Sequence, residues 1–375
     1  MDRQKIFDYA LKIFLFLSPL FFFRTYKVSL ARGLFFILGT FALFAISLSL
    51  EPRRRFANSY LSIFLLLALT AVFFKDGLAS PSQEWFNFWL SCAGFIYVFC
   101  GVLLFYIVYC YADNIKSYLK PIVWVCLLNF ILTSVQLMNR DFMWNNRPSI
   151  CGFMENSSQL GQYSALSLPI LLYLSPVLAI FPLFTLIVAK SISPILASVV
   201  IMASWGGFKG RIWKIKAGIG VVVVLMSLLN FGYIKAKFEC RPIMWQKTLK
   251  IALQRPFLGW GYRSFQEKVI GIKSSGTLGG AEYGRAHNDY LHTAQELGFP
   301  ILIIIGLFFV ELFKKFKNKD KLTQGLAASI IIVLINASGQ TLFRYASIAG
   351  TFIVLLALLC IKLEGKNANA WTSEA

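Results

Sequence analysis

The chain is a succession of long apolar runs divided by short basic islands, and no other feature limits its fold so tightly. A helix that crosses a bilayer needs roughly 20 predominantly apolar residues, somewhat fewer in its uncharged centre. Such runs cover residues 11–23, 30–50, 60–74, 86–111, 122–137 and 160–174. They continue over 177–189, 192–205, 217–234, 297–313, 326–337 and 348–363. This pattern predicts an all-α polytopic membrane protein with about twelve transmembrane helices. Pro169, Pro176, Pro182 and Pro194 predict kinked or short spans between 160 and 205. Arg24 directly follows the first run, where a cleavage site would need small residues, so that run is read as a retained helix that also directs insertion.

Charge supplies the orientation. Only 14% of the side chains are charged, yet the formal net charge is +20. Nucleic-acid binding needs basic residues clustered on a solvated face, whereas these are scattered between apolar runs. The positive-inside rule uses them better. With the N-terminus in the cytoplasm, 18 lysines and arginines fall in inner loops, from Arg3 and Lys5 through Arg53, Lys116, Lys209 and Lys315 to Lys366. The short outer loops hold eight, including Arg24, Arg32, Lys190 and Arg344. Residues 1–234 are therefore assigned nine spans, 297–363 three, and 364–375 a disordered cytoplasmic tail.

The segment 235–296 is too long for a simple connector and is placed on the outer side, with amphipathic helices of its own. Its first fifty-odd residues carry ten basic residues against Glu239, Glu267 and Glu282, and long translocated loops escape the orientation rule, so these charges need another use. Arg241-Pro242 opens a stretch in which Met244, Trp245, Thr248, Leu249 and Ala252 recur at helical spacing, with Pro242 suited to a first helical position. Arg241 and Trp245 lie one turn apart, an arrangement that fits a guanidinium and an indole flanking one ligand. It equally fits a surface helix with Trp245 at the lipid headgroups and Arg241 in water. Pro256-Phe257-Leu258-Gly259-Trp260-Gly261 then reads as a tight turn.

Both histidines lie in one stretch, His287-Asn288-Asp289-Tyr290-Leu291-His292. Five residues apart, they would sit about 140° apart on a helix and not face each other. His292 and Glu296 have i,i+4 spacing, which suits an ordinary polar pair better than a metal site, and no metal is expected. A histidine titrates near neutral pH, so His287 fits either a general base or a structural role. The seven cysteines include no C-x-x-C pair, which argues against zinc or redox chemistry. Cys92, Cys100, Cys110, Cys126 and Cys360 are read as small hydrophobes, and Cys151 and Cys240 as thiols on the oxidising side with a disulfide as the alternative. The 36 phenylalanines are read as lipid-facing bulk.

Three blocks resemble the O-antigen ligase and polymerase family of bacterial envelopes. Cys151-Gly152-Phe153-Met154-Glu155-Asn156-Ser157-Ser158-Gln159 looks like the family's G-x-F-x-N-x-N entry into a membrane helix. Arg241-x-x-x-Trp245 followed by Pro256-x-x-Gly259-x-Gly261 is similar to its loop segment. His287-Asn288, nine residues and Gly298 resemble the ligase-type histidine motif. The resemblance implies transfer of a glycan from undecaprenyl pyrophosphate to a sugar hydroxyl of lipid A–core, or to a growing glycan in the polymerase version. It further implies a bacterial inner-membrane protein with both termini cytoplasmic, a periplasmic active site and no cofactor. By position, His287 matches the base and Arg241 a pyrophosphate-binding arginine, with Trp245, Asn288, Gly259 and Gly261 in support.

Two departures bear on this. Lys190-Ser191 stands where the family carries a Ser-Arg pair, so Lys190, Arg263, Arg285 or Arg147 is expected to supply the second charge. Phe299 follows Gly298 where ligases usually have another glycine. The absence of G-x-x-x-x-G-K-[S/T] accords with a donor already activated as a pyrophosphate. A transporter of a lipid-linked anion is the reading from another class. It would want ionisable groups near the bilayer midplane, whereas here they gather in the outer loop.

Overall fold

A computed structural model describes residues 2–20, 28–54, 81–138, 150–204, 231–262, 285–316 and 320–364, with a few more between 63 and 68 and between 264 and 268. Every regular element among them is helical. In chain order these are α1 (Arg3–Leu20), α2 (Val28–Ser47), α3 (Pro81–Tyr111), α4 (Ile115–Leu137), α5 (Ser157–Leu174) and α6 (Ile180–Val188). They continue with α7 (Ile192–Ser204), α8 (Phe231–Gln254), α9 (Asp289–Leu297), α10 (Phe299–Lys314), α11 (Lys321–Ala337) and α12 (Ala346–Glu364).

Short polar side chains set where several of these begin. Asn114, Asn156, Asn288 and Asp320 stand just before α4, α5, α9 and α11, and each accepts a hydrogen bond from a backbone N–H in the first turn. Such caps satisfy a donor that the helix cannot, and each is worth about 1 kcal/mol. Gly298, with φ +85°, ends α9 and starts α10 without a side-chain cap.

Among the described residues, three helical stretches are long and apolar enough to cross a membrane: Gly94–Tyr111, Ile115–Leu137 and Ala346–Glu364. Ala31–Ser47, Ile192–Ile201 and Lys321–Ala337 are shorter apolar helices. The runs expected at 60–74 and 217–234 fall largely outside the described residues. One boundary is moved. The helix expected to open at Pro242 is already under way at Phe231, and Pro242 lies inside α8, so the division at 234/235 falls within a helix.

Packing centres on α5 and α12. Helix α5 lies against α11, α6 and α7, and α12 against α3, α11, α1 and α2. Nearly all of α12 is buried. Gly350 is part of the reason: a Cβ there would touch the Phe36 ring of α2 at 3.3 Å. Phenylalanine is not only lipid-facing bulk, since Phe7, Phe14, Phe36 and Phe105 are buried in this core, where ring area stabilises helix contacts. Cys100, Cys126 and Cys360 are buried there too, as expected of small hydrophobes.

The polar termini sort into two ends. At one, Arg3 donates to Ser49, Gln4 to Tyr111, Arg53 pairs with Asp113 at 2.5 Å, and Lys362 pairs with Asp320 at 2.9 Å. All these residues lie in or beside segments that charge counting groups as inner loops. At the other end, Arg241 meets Gly339, Ser193 meets Asn336, and Arg32 meets Phe153 and Gln159. These belong to the segments grouped as outer.

Candidate active site

The first family-like block is built by side chains of α4. Gln136 Oε1 accepts the N–H groups of Cys151 and Gly152 at 3.1 and 2.9 Å, and Asn129 Oδ1 accepts that of Phe153 at 3.0 Å. Gly152 has φ +57°, and a Cβ on it would lie 2.6 Å from Asn129 Oδ1, so only glycine fits this turn. Arg32, buried in α2, reaches the Phe153 carbonyl and Gln159. Cys151 is buried, while the side chain of Cys240 lies outside the described residues, as does its expected alternative pairing.

The second and third blocks interlock. Trp260 N–H donates to Gln295 and Gly261 N–H to Glu296, both at 2.9 Å, and Phe299 N–H donates to Pro256 at 2.7 Å. The Pro256–Gly261 turn therefore caps the carbonyl end of α9. Gly259 and Gly298 have φ +66° and +85°, and a Cβ on either would strike backbone, that of Glu296 and that of Phe257. The motif glycines are contact points between two chain segments. Trp260 is fixed beneath them, its indole N–H on Ile251 and its ring between Arg255 and Lys268, each 4.3 Å away.

Arg241 and Trp245 each bond to a different segment of the chain. Arg241 Nη1 donates to the Gly339 carbonyl at 2.9 Å, in the turn between α11 and α12. Trp245 Nε1 donates to the Ala286 carbonyl at 3.0 Å, which commits the indole to the protein and not to headgroups. Helix α8 thus pins the α11–α12 turn with one residue and the histidine segment with the other. Gly339 also adjoins Ser193 at the start of α7, three residues beyond the exposed Lys190, so α7, α8 and α11 converge here. Arg285 lies over the Tyr345 ring at 4.8 Å. Arg263 and Arg147 lie outside the described residues.

His287 is ahead of α9, not on it, so the helical angle expected between the histidines does not apply. Its φ is +49°, and Lys190 has φ +50°; among the described residues these two are the non-glycine positions in the left-handed region. That region costs a side-chain-bearing residue on the order of 1–3 kcal/mol and persists where its surroundings over-determine it. Here the next residue, Asn288, is locked as the α9 cap by Leu291 N–H at 3.0 Å, and the preceding one, Ala286, is held by Trp245.

Behind this segment is a buried polar row that sequence reasoning left as a simple pair. His292 Nε2 is 3.2 Å from Glu296 Oε1, and the other oxygen of Glu296 takes Arg344. His292 stacks on Phe265 with ring centroids 4.4 Å apart, and its Nδ1 accepts Ala286 N–H at 3.4 Å. That acceptor role puts the ring proton on Nε2, facing the carboxylate. Burial, reinforced by Arg344, lowers the His292 pKa to about 4, so the ring is neutral at pH 7. Burial opposes ionisation of Glu296 as well, but Arg344 and His292 hold its pKa down to about 2. Asp289, one turn earlier, accepts the N–H groups of Leu342 and Phe343, yet burial raises its pKa to about 7. Only the i,i+4 spacing of His292 and Glu296 signalled any of this in the sequence.

Part of this geometry falls within a matched region. Residues 177–306, 130 of the 375, match the family model described as O-antigen ligase. Over that stretch the chain is similar to the O-antigen ligase family. The matched stretch runs from the approach to α6 into α10 and includes Lys190, Arg241, Trp245, the loop glycines, His287 and Gly298. The Cys151–Asn156 block and Arg344 lie outside it. No curated protein matches the chain. The apolar helices accord with this likeness to a membrane family.

Proposed function

We propose that the protein is a glycosyltransferase of the O-antigen ligase type, moving a glycan from undecaprenyl pyrophosphate to a sugar hydroxyl of lipid A–core. The observation that carries the reading is the placement of strain. Among the described non-glycine residues of the stretch that matches the O-antigen ligase model, left-handed backbone occurs at the expected base His287 and at Lys190, which stands for the family's second cation. Strain of this kind is retained where a side chain must be aimed.

In this reading His287 accepts the proton of the acceptor hydroxyl as its oxygen attacks the anomeric carbon. The bond from that carbon to the pyrophosphate oxygen breaks, and undecaprenyl pyrophosphate leaves with the bonding pair. Arg241, aimed by Gly339, meets the charge growing on the leaving group, with Lys190, Arg263 or Arg285 as the second cation. Segment 235–296 faces the periplasm, both termini face the cytoplasm, and twelve spans complete the topology. The grouping of Arg53, Lys362 and their partners at the opposite end from Arg241 supports this orientation.

The polymerase is the second reading, favoured by Phe299 where ligases carry a glycine after Gly298. The glycan profile of a strain deleted for this chain decides between them. Loss of the ligase leaves full-length polymer on its lipid carrier. Loss of the polymerase leaves lipid A–core capped by one repeat. A transporter defect would strand donor on the inner leaflet, and an unchanged profile would sink all three.

A further inference from the structure

Ala286 is gripped on both faces of its backbone. Its carbonyl accepts the Trp245 indole N–H at 3.0 Å, and its N–H donates to His292 Nδ1 at 3.4 Å. The residue it delivers is His287, whose φ of +49° is a conformation a lone histidine seldom keeps. The grip from α9 is itself fixed. The His292 ring is buried, stacked on Phe265, and directed by Glu296, which is in turn held by Arg344 of the α11–α12 turn.

Each ring nitrogen has a distinct task. Nε2–H donates to Glu296, which sets the tautomer, and the tautomer makes Nδ1 an acceptor for Ala286. A ring present only to fill space would need neither. Protonation at Nδ1 would abolish the acceptor and turn a donor against the Ala286 N–H.

We propose that His292 is a positioning residue that aims His287 through the backbone of Ala286, with Glu296 and Arg344 fixing its tautomer and Trp245 closing the opposite side. The proposal deepens the reading of His287 as the base that serves the acceptor hydroxyl, and it rests on that reading. His292 touches no substrate in this scheme.

Two substitutions separate its tasks. In His292→Asn the amide oxygen takes the place of Nδ1 and keeps the acceptor for Ala286, but the contact with Glu296 is lost. In His292→Gln the amide reaches the place of Nε2 and keeps Glu296, but nothing accepts Ala286 N–H. Trp245→Phe removes the opposite grip from a half-buried site. The full chain in lipid nanodiscs is assayed with undecaprenyl-pyrophosphate-linked glycan and purified lipid A–core, and melting temperature is measured in parallel.

His292→Asn should stay within a few-fold of the parent in kcat. His292→Gln and Trp245→Phe should lose roughly 10- to 100-fold in kcat at unchanged donor KM, the scale expected when a catalytic group moves by about 1 Å. Glutamine equal to or better than asparagine overturns the proposal. So does a loss carried by KM, a loss that simply follows melting temperature in all three, or an unaffected Trp245→Phe. An active His287→Ala would instead remove the reading of His287 as base, whatever the His292 pair shows.

Discussion

Gly298 is pressed against Phe257 so closely that a Cβ on it would lie 2.2 Å from the Phe257 carbonyl oxygen. The glycine of the histidine motif and the turn of the loop motif are therefore a single joint, and the spacing in each motif records the other's backbone. With φ +85°, Gly298 is constrained twice over, by conformation and by contact. Gly306, eight residues on in α10, has open space around its Cβ position. Gly298→Ala should cost at least about 1–3 kcal/mol, the usual scale of backbone strain, and lower the melting temperature of detergent-solubilised protein. Gly306→Ala should be neutral or stabilising by about 0.5–1 kcal/mol. Equal melting of the two variants would mean the joint yields freely.

The Glu296–Arg344 pair ties α9 to the α11–α12 turn, with Glu296 buried and Arg344 largely so. Removing one partner of such a pair leaves an uncompensated charge and costs about 3–5 kcal/mol, whereas replacing both is often far milder. Arg344 retains some exposure, which places Glu296→Gln toward the lower end of that range. Arg344→Met together with Glu296→Leu should recover much of the loss. A double-mutant cycle on melting free energies checks this, and simple additivity would show that the two residues do not act as a pair.

The helices were legible because apolar runs of membrane-spanning length admit few alternatives, and α3, α4, α5, α11 and α12 fall where the runs lie. Helix α8 starts earlier than its sequence suggests, because proline is normally excluded from helix interiors and Pro242 reads as a first-turn residue. The candidate site was half legible. His287, Arg241 and the glycines stood out by type and order. What positions them did not, since Arg344 meets Glu296, and Arg241 meets Gly339, only after the α11–α12 turn folds back over α8 and α9. No local spacing encodes a contact between residues so far apart. Gln136 is the same case: an unremarkable glutamine in an apolar helix that shapes the turn at Cys151 and Gly152.

Asp289 gives a pH signature of known sign. Burial first, partly offset by the Leu342 and Phe343 N–H groups and by Arg344 and Arg285, raises its pKa from 3.8 to about 7. The folded state therefore binds more protons than the unfolded state between those values. The stability contributed is complete below pH 3.8 and is lost as pH rises through 7. His292 works oppositely, losing stability as pH falls from 6.5 toward 4, but it is present in parent and variant alike. Asp289→Asn keeps an oxygen to accept both N–H groups and cannot ionise. Its melting temperature relative to the parent should climb between pH 5 and pH 8. A constant difference across that range would show that Asp289 titrates as an ordinary carboxylate.

Arg241→Lys tests whether the site needs a fork or merely a charge. The guanidinium is anchored at one corner by the Gly339 carbonyl, 2.9 Å from Nη1, so its plane is fixed before any substrate arrives. A lysine ammonium at the end of a flexible stem has no plane to fix and presents its donors in no set direction. It still neutralises a pyrophosphate as a point charge. Under the proposed mechanism the missing contacts are those to the departing pyrophosphate, where a charge-assisted hydrogen bond is worth about 1.5–3 kcal/mol, or roughly 10- to 150-fold in rate. The loss should appear in kcat, because leaving-group charge grows only as the anomeric bond breaks. A Gly339→Ala variant provides the internal check: its Cβ would stand 3.2 Å from Ser193 Oγ, a tight contact, but 3.8 Å from Arg241 Nη1, an ordinary one, so it should leave the arginine's position and the transfer rate close to the parent's. If Arg241→Lys transfers glycan at the parent's rate, Arg241 is not at the leaving group, and its bond to Gly339 serves only to hold α8 against the α11–α12 turn.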